Sequence, residues 1–191
     1  STQSTKADWT VGTLMGSAQI PGLSLTNTVV ADQVRGQWTP GKVEETLLGT
    51  AQTDGHGVQI IIEQEPGSSG KSWALHLKNN VLHGYDVTIK PSGGSNKWIR
   101  AQPYIAAITH GRISWIRAGW NTAHSDELKD FPNAAHDDTV DSASLGYSHL
   151  HSQILASPTW GRTASGIMVP STPGLILPGM QQTSNIVWGR R

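Results

Sequence analysis

Apolar positions along this chain alternate between strand spacing and helix spacing. Residues 10–17 and 24–34 are rich in β-branched positions and read as neighbouring strands, with Ile20-Pro21-Gly22 as the turn between them. Thr39-Pro40-Gly41-Lys42-Val43-Glu44-Glu45 opens a helix that runs to about residue 52, with Thr39 as its cap and Pro40 in the first turn. Residues 58–62 are a short apolar, β-branched run between turn signals, the pattern of a buried strand. Helical spacing returns over 71–82 and stops before Gly84. A short strand at 87–90, a helix over 97–109, a strand at 113–116, a helical turn at 126–130 and a long amphipathic helix over 138–155 complete the series. Strands alternating with helices predict an α/β sheet, and the opening hairpin makes that sheet mixed.

Beyond Leu155 the periodicity is lost. Ser157-Pro158 and the stretch from Val169 to Gly179 are rich in Pro, Gly and Ser, so residues 156–191 read as an extended or flexible tail on an α/β domain of residues 1–155. Deletion of 157–191 is expected to leave the core folded. Leu175-Ile176-Leu177 and the basic Gly189-Arg190-Arg191 end are the parts of the tail suited to docking on a partner.

Two acidic stretches carry the chemistry. In His136-Asp137-Asp138-Thr139-Val140-Asp141, carboxylates crowd the start of the last helix. Such groups repel unless a cation or water sits among them, and clustered carboxylate oxygens suit a hard ion such as Mg²⁺ or Mn²⁺. A helix N-terminus also favours negative charge, so capping by Asp137 or Asp138 is the plainer alternative. The second stretch is the acidic end of the buried strand, Ile62-Glu63-Gln64-Glu65-Pro66. Open α/β sheets place ligands at the carboxyl edge of their strands, where Glu63 would stand with Glu65 on the same side. The following Gly67-Ser68-Ser69-Gly70-Lys71 lacks the glycine spacing of a nucleotide-binding loop. Lys97 and Arg100, three apart on one helix face, and Lys71 are the cations placed to hold a DNA backbone; a solvated helix face is the alternative. His136 adjoins the acids as a supporting group or weak ligand.

Charge and composition narrow the classes. Formal net charge is zero and 15% of residues are charged, which excludes a broadly basic surface but leaves room for a local basic groove. There is no cysteine, hence no disulfide and no zinc–thiolate site. Neither a signal peptide nor a long apolar span is present, so a soluble intracellular protein without membrane attachment is expected. Most of the eight Trp residues read as core or groove aromatics.

The ordered pieces Ala7-Asp8-Trp9-Thr10-Val11-Gly12, Arg35-Gly36-Gln37-Trp38, Ile62 to Lys71, Lys97-Trp98-Ile99-Arg100-Ala101-Gln102-Pro103, Glu127 to Pro132 and His136 to Asp141 resemble the C-terminal nuclease domain of the large terminase subunit of tailed bacteriophages. The resemblance covers about residues 7–150. It implies a ribonuclease H-like α/β fold with a mixed central sheet flanked by helices. It also implies a metal-dependent endonuclease that cuts concatemeric viral double-stranded DNA during packaging in the host cytoplasm. By the same resemblance the partners are the portal protein and the small terminase subunit, and an ATPase motor domain precedes the nuclease. In that family a first catalytic Asp lies on a strand just upstream of the stretch matching Asp8 to Gly12; residues 1–6 read as the turn after it, so that strand is expected before Ser1 and this chain is expected to cut feebly. Asp8 as a replacement ligand is the lesser alternative.

With two Mg²⁺ or Mn²⁺ ions clamping a phosphate, Glu63 would hold one ion, Asp137 and Asp138 the other, and Asp141 would assist, with Glu65 and His136 in support. Two rival readings are a resolvase- or transposase-like nuclease of the same fold and a non-catalytic module that docks DNA and portal.

Overall fold

The computed structural model describes residues 9–19, 26–94, 96–134, 136–156, 160–162, 168–170 and 184–189. Strands β1 (Thr10–Gln19) and β2 (Thr26–Gly36) pair antiparallel, with a bulge at Leu14/Met15; the Ile20-Pro21-Gly22 turn lies outside the described residues. Helix α1 (Pro40–Asp54) starts after Thr39, whose carbonyl accepts the Val43 N–H but whose side chain makes no capping bond. Then come β3 (Val58–Gln64), α2 (Gly67–His76) with a π-helical continuation Leu77–Val81, β4 (Val87–Pro91) and α3 (Lys97–Thr109). The chain continues through β5 (Ile113–Trp115), α4 (Asn121–Asp130) and α5 (Asp138–Ala156) to the short strands β6 (Trp160–Arg162), β7 (Met168–Pro170) and β8 (Ser184–Gly189).

The expected mixed sheet is present, in the order β4-β3-β8-β1-β2-β5. β1 is antiparallel to both its neighbours, β2 and β8; the β2–β5, β3–β4 and β3–β8 pairs are parallel. Alternate residues of each strand serve opposite faces. Ile60 and Ile62 of β3 pack with Leu47 and Ala51 of α1 and Ala74 of α2. On the other face Met15 and Val30 pack with Tyr104 of α3 and Ala143 of α5, and α4 closes that side through Leu128. The carboxyl ends of parallel β3 and β4 therefore open at one edge, beneath α3 and α5.

Within residues 156–191, read from the sequence as an extended or flexible tail, Ser184–Gly189 belongs to the main sheet. This segment is a central strand, hydrogen-bonded to Val11–Gly16 of β1 on one side and to Val58–Ile62 of β3 on the other. A six-residue strand has too few alternations to register as a pattern; its place is set by two partners far away in sequence. The Leu175-Ile176-Leu177 patch and Arg190-Arg191 lie outside the described residues.

Two helices also differ from the sequence expectation. α4 begins at Asn121, well before residue 126, because its buried positions are His124 and Glu127, polar residues that a hydrophobic period cannot reveal. α2 begins at Gly67, so Gly67-Ser68-Ser69-Gly70 is its first turn and not a loop. Gly70 allows this: a Cβ there would lie 2.3 Å from the carbonyl oxygen of Glu65. We predict that Gly70→Ala destabilises the domain by about 1–3 kcal/mol, an overpacking cost against backbone that cannot yield. At this size that is a fall in Tm of roughly 2–12 °C; an unchanged melt would mean the strand–helix junction relaxes freely.

Among the described residues no helix is long and apolar enough to cross a membrane.

Candidate active site

Three elements converge at the open edge of the sheet. β3 delivers Glu63 at its carboxyl end, with its side chain 13% exposed. α5 delivers Asp137 just before its first turn and Asp138 and Asp141 within it. α3 delivers Lys97 at its first position and Arg100 one turn later, started by Asn96, whose Oδ1 accepts the Trp98 N–H at 3.0 Å.

The cations tie the acids together. Lys97 donates to both carboxylate oxygens of Asp137, and its Nζ lies 3.5 Å from Asp141 Oδ2. Arg100 places Nη2 3.4 Å from Asp141 Oδ1 and Nη1 4.0 Å from Glu63 Oε1, and also donates to the Gly93 carbonyl at 3.2 Å. Glu63 and Asp141 thus face one guanidinium. Both line a cavity of about 330 Å³, together with Arg100, Lys90, Ile99 and Ser144. Lys90 escaped the sequence reading. Its signal was its place at the end of a strand: in the parallel β3–β4 pair Lys90 is the register partner of Glu63.

Asp138 has a different setting. It is buried, and its Oδ2 accepts the backbone N–H of Trp9 at 3.2 Å. Asp8 lies outside the described residues. The Arg35 guanidinium sits 4.1 Å over the Trp9 ring and pairs with Glu127 at 2.8 Å. Glu127 Oε2 in turn accepts the Thr139 N–H at 2.9 Å, so the cap of α5 comes from a side chain of α4. Burial raises the Glu127 pKa, and the Arg35 charge works against that rise. Glu127 and Arg35 were quoted in the sequence only as parts of matching motifs; nothing local shows that they meet. Glu65 and Lys71 are exposed, and α2, which carries Lys71, packs on the opposite face from α3 and α5. His136 meets Trp9 edge to face, with ring centroids 6.3 Å apart.

A buried polar chain holds these helices in place. Ser142, next to Asp141, shares a hydrogen bond with Thr13 Oγ1 at 3.0 Å. The Gln33 amide nitrogen donates to Thr13 Oγ1 at 3.1 Å and to His124 Nδ1 at 3.2 Å. His124 Nε2 then carries the ring proton and donates to the Tyr104 oxygen at 3.0 Å. Tyr104 lies one turn beyond Arg100 on α3, so the chain links the helix bearing Asp141 to the helix bearing Lys97 and Arg100. Burial pushes the His124 pKa down to about 4. The folded state thus resists protonating a ring that the unfolded chain protonates near 6.5. Stability from this group is complete above pH 6.5 and falls through about pH 4, by about 3 kcal/mol. Urea titrations of wild type and His124→Gln across that window should differ in slope, the variant losing less; parallel curves would show that the ring is not buried neutral.

Oxygen donors of this kind suit a hard divalent cation, which commonly takes one or two carboxylates and fills its other positions with water and phosphate oxygen. Glu63 and Asp141 bring two carboxylates to one cavity. Among the described residues no group of three or more His, Asp or Glu side chains stands ready to hold an ion. Comparison with curated proteins and with solved structures gives no match. A family model, described as the terminase RNaseH-like domain, matches residues 3–150. That span takes in β1 to β5, the acids at the sheet edge and most of α5. The chain therefore belongs to the terminase RNaseH-like domain family.

Proposed function

We propose that this chain is a divalent-metal-dependent DNA endonuclease domain that cuts concatemeric viral DNA during genome packaging. The observation that carries the proposal is the meeting of Glu63, from a strand end, and Asp141, from the first turn of α5, across Arg100 at one cavity in a terminase RNaseH-like domain.

Glu63 and Asp141 would hold Mg²⁺ or Mn²⁺, with Asp137 and Asp138 as the further acids of a two-metal site. The bound ions would supply a water of lowered pKa and charge to offset the developing negative phosphate. The protein groups do the rest. Lys97 and Arg100 neutralise the acids in the free domain, and they are the cations that can turn to backbone phosphates when DNA arrives. Arg100 suits that role because its planar fork can meet two phosphate oxygens at once. Glu127 fixes the start of α5, and so the direction of Asp137, Asp138 and Asp141. Double-stranded DNA is the substrate; portal protein, small terminase subunit and a preceding ATPase motor are the partners in this reading, and the host cytoplasm is where it acts.

A non-catalytic DNA- and portal-docking role is the second reading. It is favoured by the ion pairing of the acids with Lys97 and Arg100. A plasmid assay separates the two. With Mn²⁺, slow conversion of supercoiled plasmid to open circles, abolished by EDTA, is expected. No conversion at protein excess, together with retained DNA binding, would favour docking.

A further inference from the structure

Exposed large apolar side chains are few among the described residues: Leu75, Trp98, Ile99 and Ile116. Scattered single exposures are ordinary. Trp98 and Ile99 differ because they are consecutive in the first turn of α3, whose Ile99 and Arg100 line the acidic cavity. They are 41% and 58% exposed, and Ile99 lines the cavity with Glu63, Arg100 and Asp141. They sit between Lys97 and Arg100 in sequence, so exposed apolar side chains and the two cations share the first turn of α3. The Trp98 ring has a backing: it stacks on Phe131, with centroids 5.9 Å apart and planes 19° from parallel, and Phe131 is itself buried. The backbone beneath it is fixed by the Asn96 cap on the Trp98 N–H.

We propose that Trp98 is a stacking platform for an unpaired nucleobase, which continues the Phe131–Trp98 stack while the neighbouring phosphates meet Lys97 and Arg100. This rests on the nuclease reading above and narrows it: the strand that reaches the acids would be locally unstacked. The site has the required parts. A rigid ring offers a π-face at little ordering cost, and cations stand one and two residues away for the backbone. Base–aromatic stacking tolerates any sequence because every base has a π-face, and loss of one such contact weakens binding roughly 5- to 150-fold. Ile99 would pack beside the displaced base or its sugar.

The test uses the full chain in Ca²⁺ buffer, with anisotropy of a labelled oligodeoxythymidylate and of a fully paired hairpin. Trp98→Leu should weaken oligodeoxythymidylate binding roughly 10-fold or more, Trp98→Phe should keep most of it, and hairpin binding should stay within about twofold; matching thermal melts would show that the variants fold. An unchanged affinity in Trp98→Leu, or an equal loss on both probes, would overturn the platform. Wild-type binding to the hairpin but not to the oligodeoxythymidylate would overturn the platform and leave the nuclease reading standing. Wild-type binding to neither would overturn both.

Discussion

A chain lacking residues 184–191 should fail to fold. β8 is the strand that joins the two halves of the sheet: β4-β3 lies on one side and β1-β2-β5 on the other. Its removal strips backbone partners from Val11–Gly16 and from Val58–Ile62 together. Each buried N–H or C=O left without a partner costs about 1–3 kcal/mol. Several such losses exceed the roughly 5–15 kcal/mol by which a domain is stable. α5 also rests on β8, so the helix carrying Asp141 loses its support. Circular dichroism and thermal melts decide the matter. The expected result is loss of a cooperative transition. A truncated chain melting within about 5 °C of the full one, roughly 1–2 kcal/mol at this size, would mean that the sheet closes without β8.

The second expected result is loss of Mn²⁺-dependent function on neutralising the two acids that share the cavity. Glu63→Gln and Asp141→Asn keep side-chain shape and remove charge. Substitution of groups that merely orient metal ligands costs about 10–100-fold, so a ligand itself should cost at least the upper end, about 100-fold in nicking rate. Glu65→Gln, an exposed neighbour of the same charge, should stay within about twofold, since surface charges outside a site contribute little. The free domain is expected to be a slow nuclease, because among the described residues the acids are paired with Lys97 and Arg100 and form no three-ligand group. Mn²⁺ affinity, read from loss of the free-ion paramagnetic resonance signal, is therefore measured alongside nicking. Both substitutions should weaken it together. Full Mn²⁺ binding in the Glu63→Gln, Asp141→Asn double variant would move the metal site elsewhere, toward Asp137 and Asp138.

Much of this architecture is written locally. The bounds of α3 follow from residues 97–109 at helical spacing, and β3 from its β-branched run. The same reading put Glu63 at a strand end, the acids of residues 137–141 at a helix start, and Lys97 with Arg100 on one face, because strand and helix periods are properties of neighbouring residues. The ordered motifs also identified the family. What the periods could not give is which distant pieces meet. Arg100 spans Glu63 and Asp141 only because β3 ends and α5 begins at the same sheet edge. Glu127 caps α5 from α4, a partner that no local pattern shows. Ser184–Gly189 becomes the central strand because two unpaired edges, β1 and β3, receive it on either side. Local sequence fixes a residue's backbone state and face, whereas sheet order and register decide its partners, and the candidate site is made of partners.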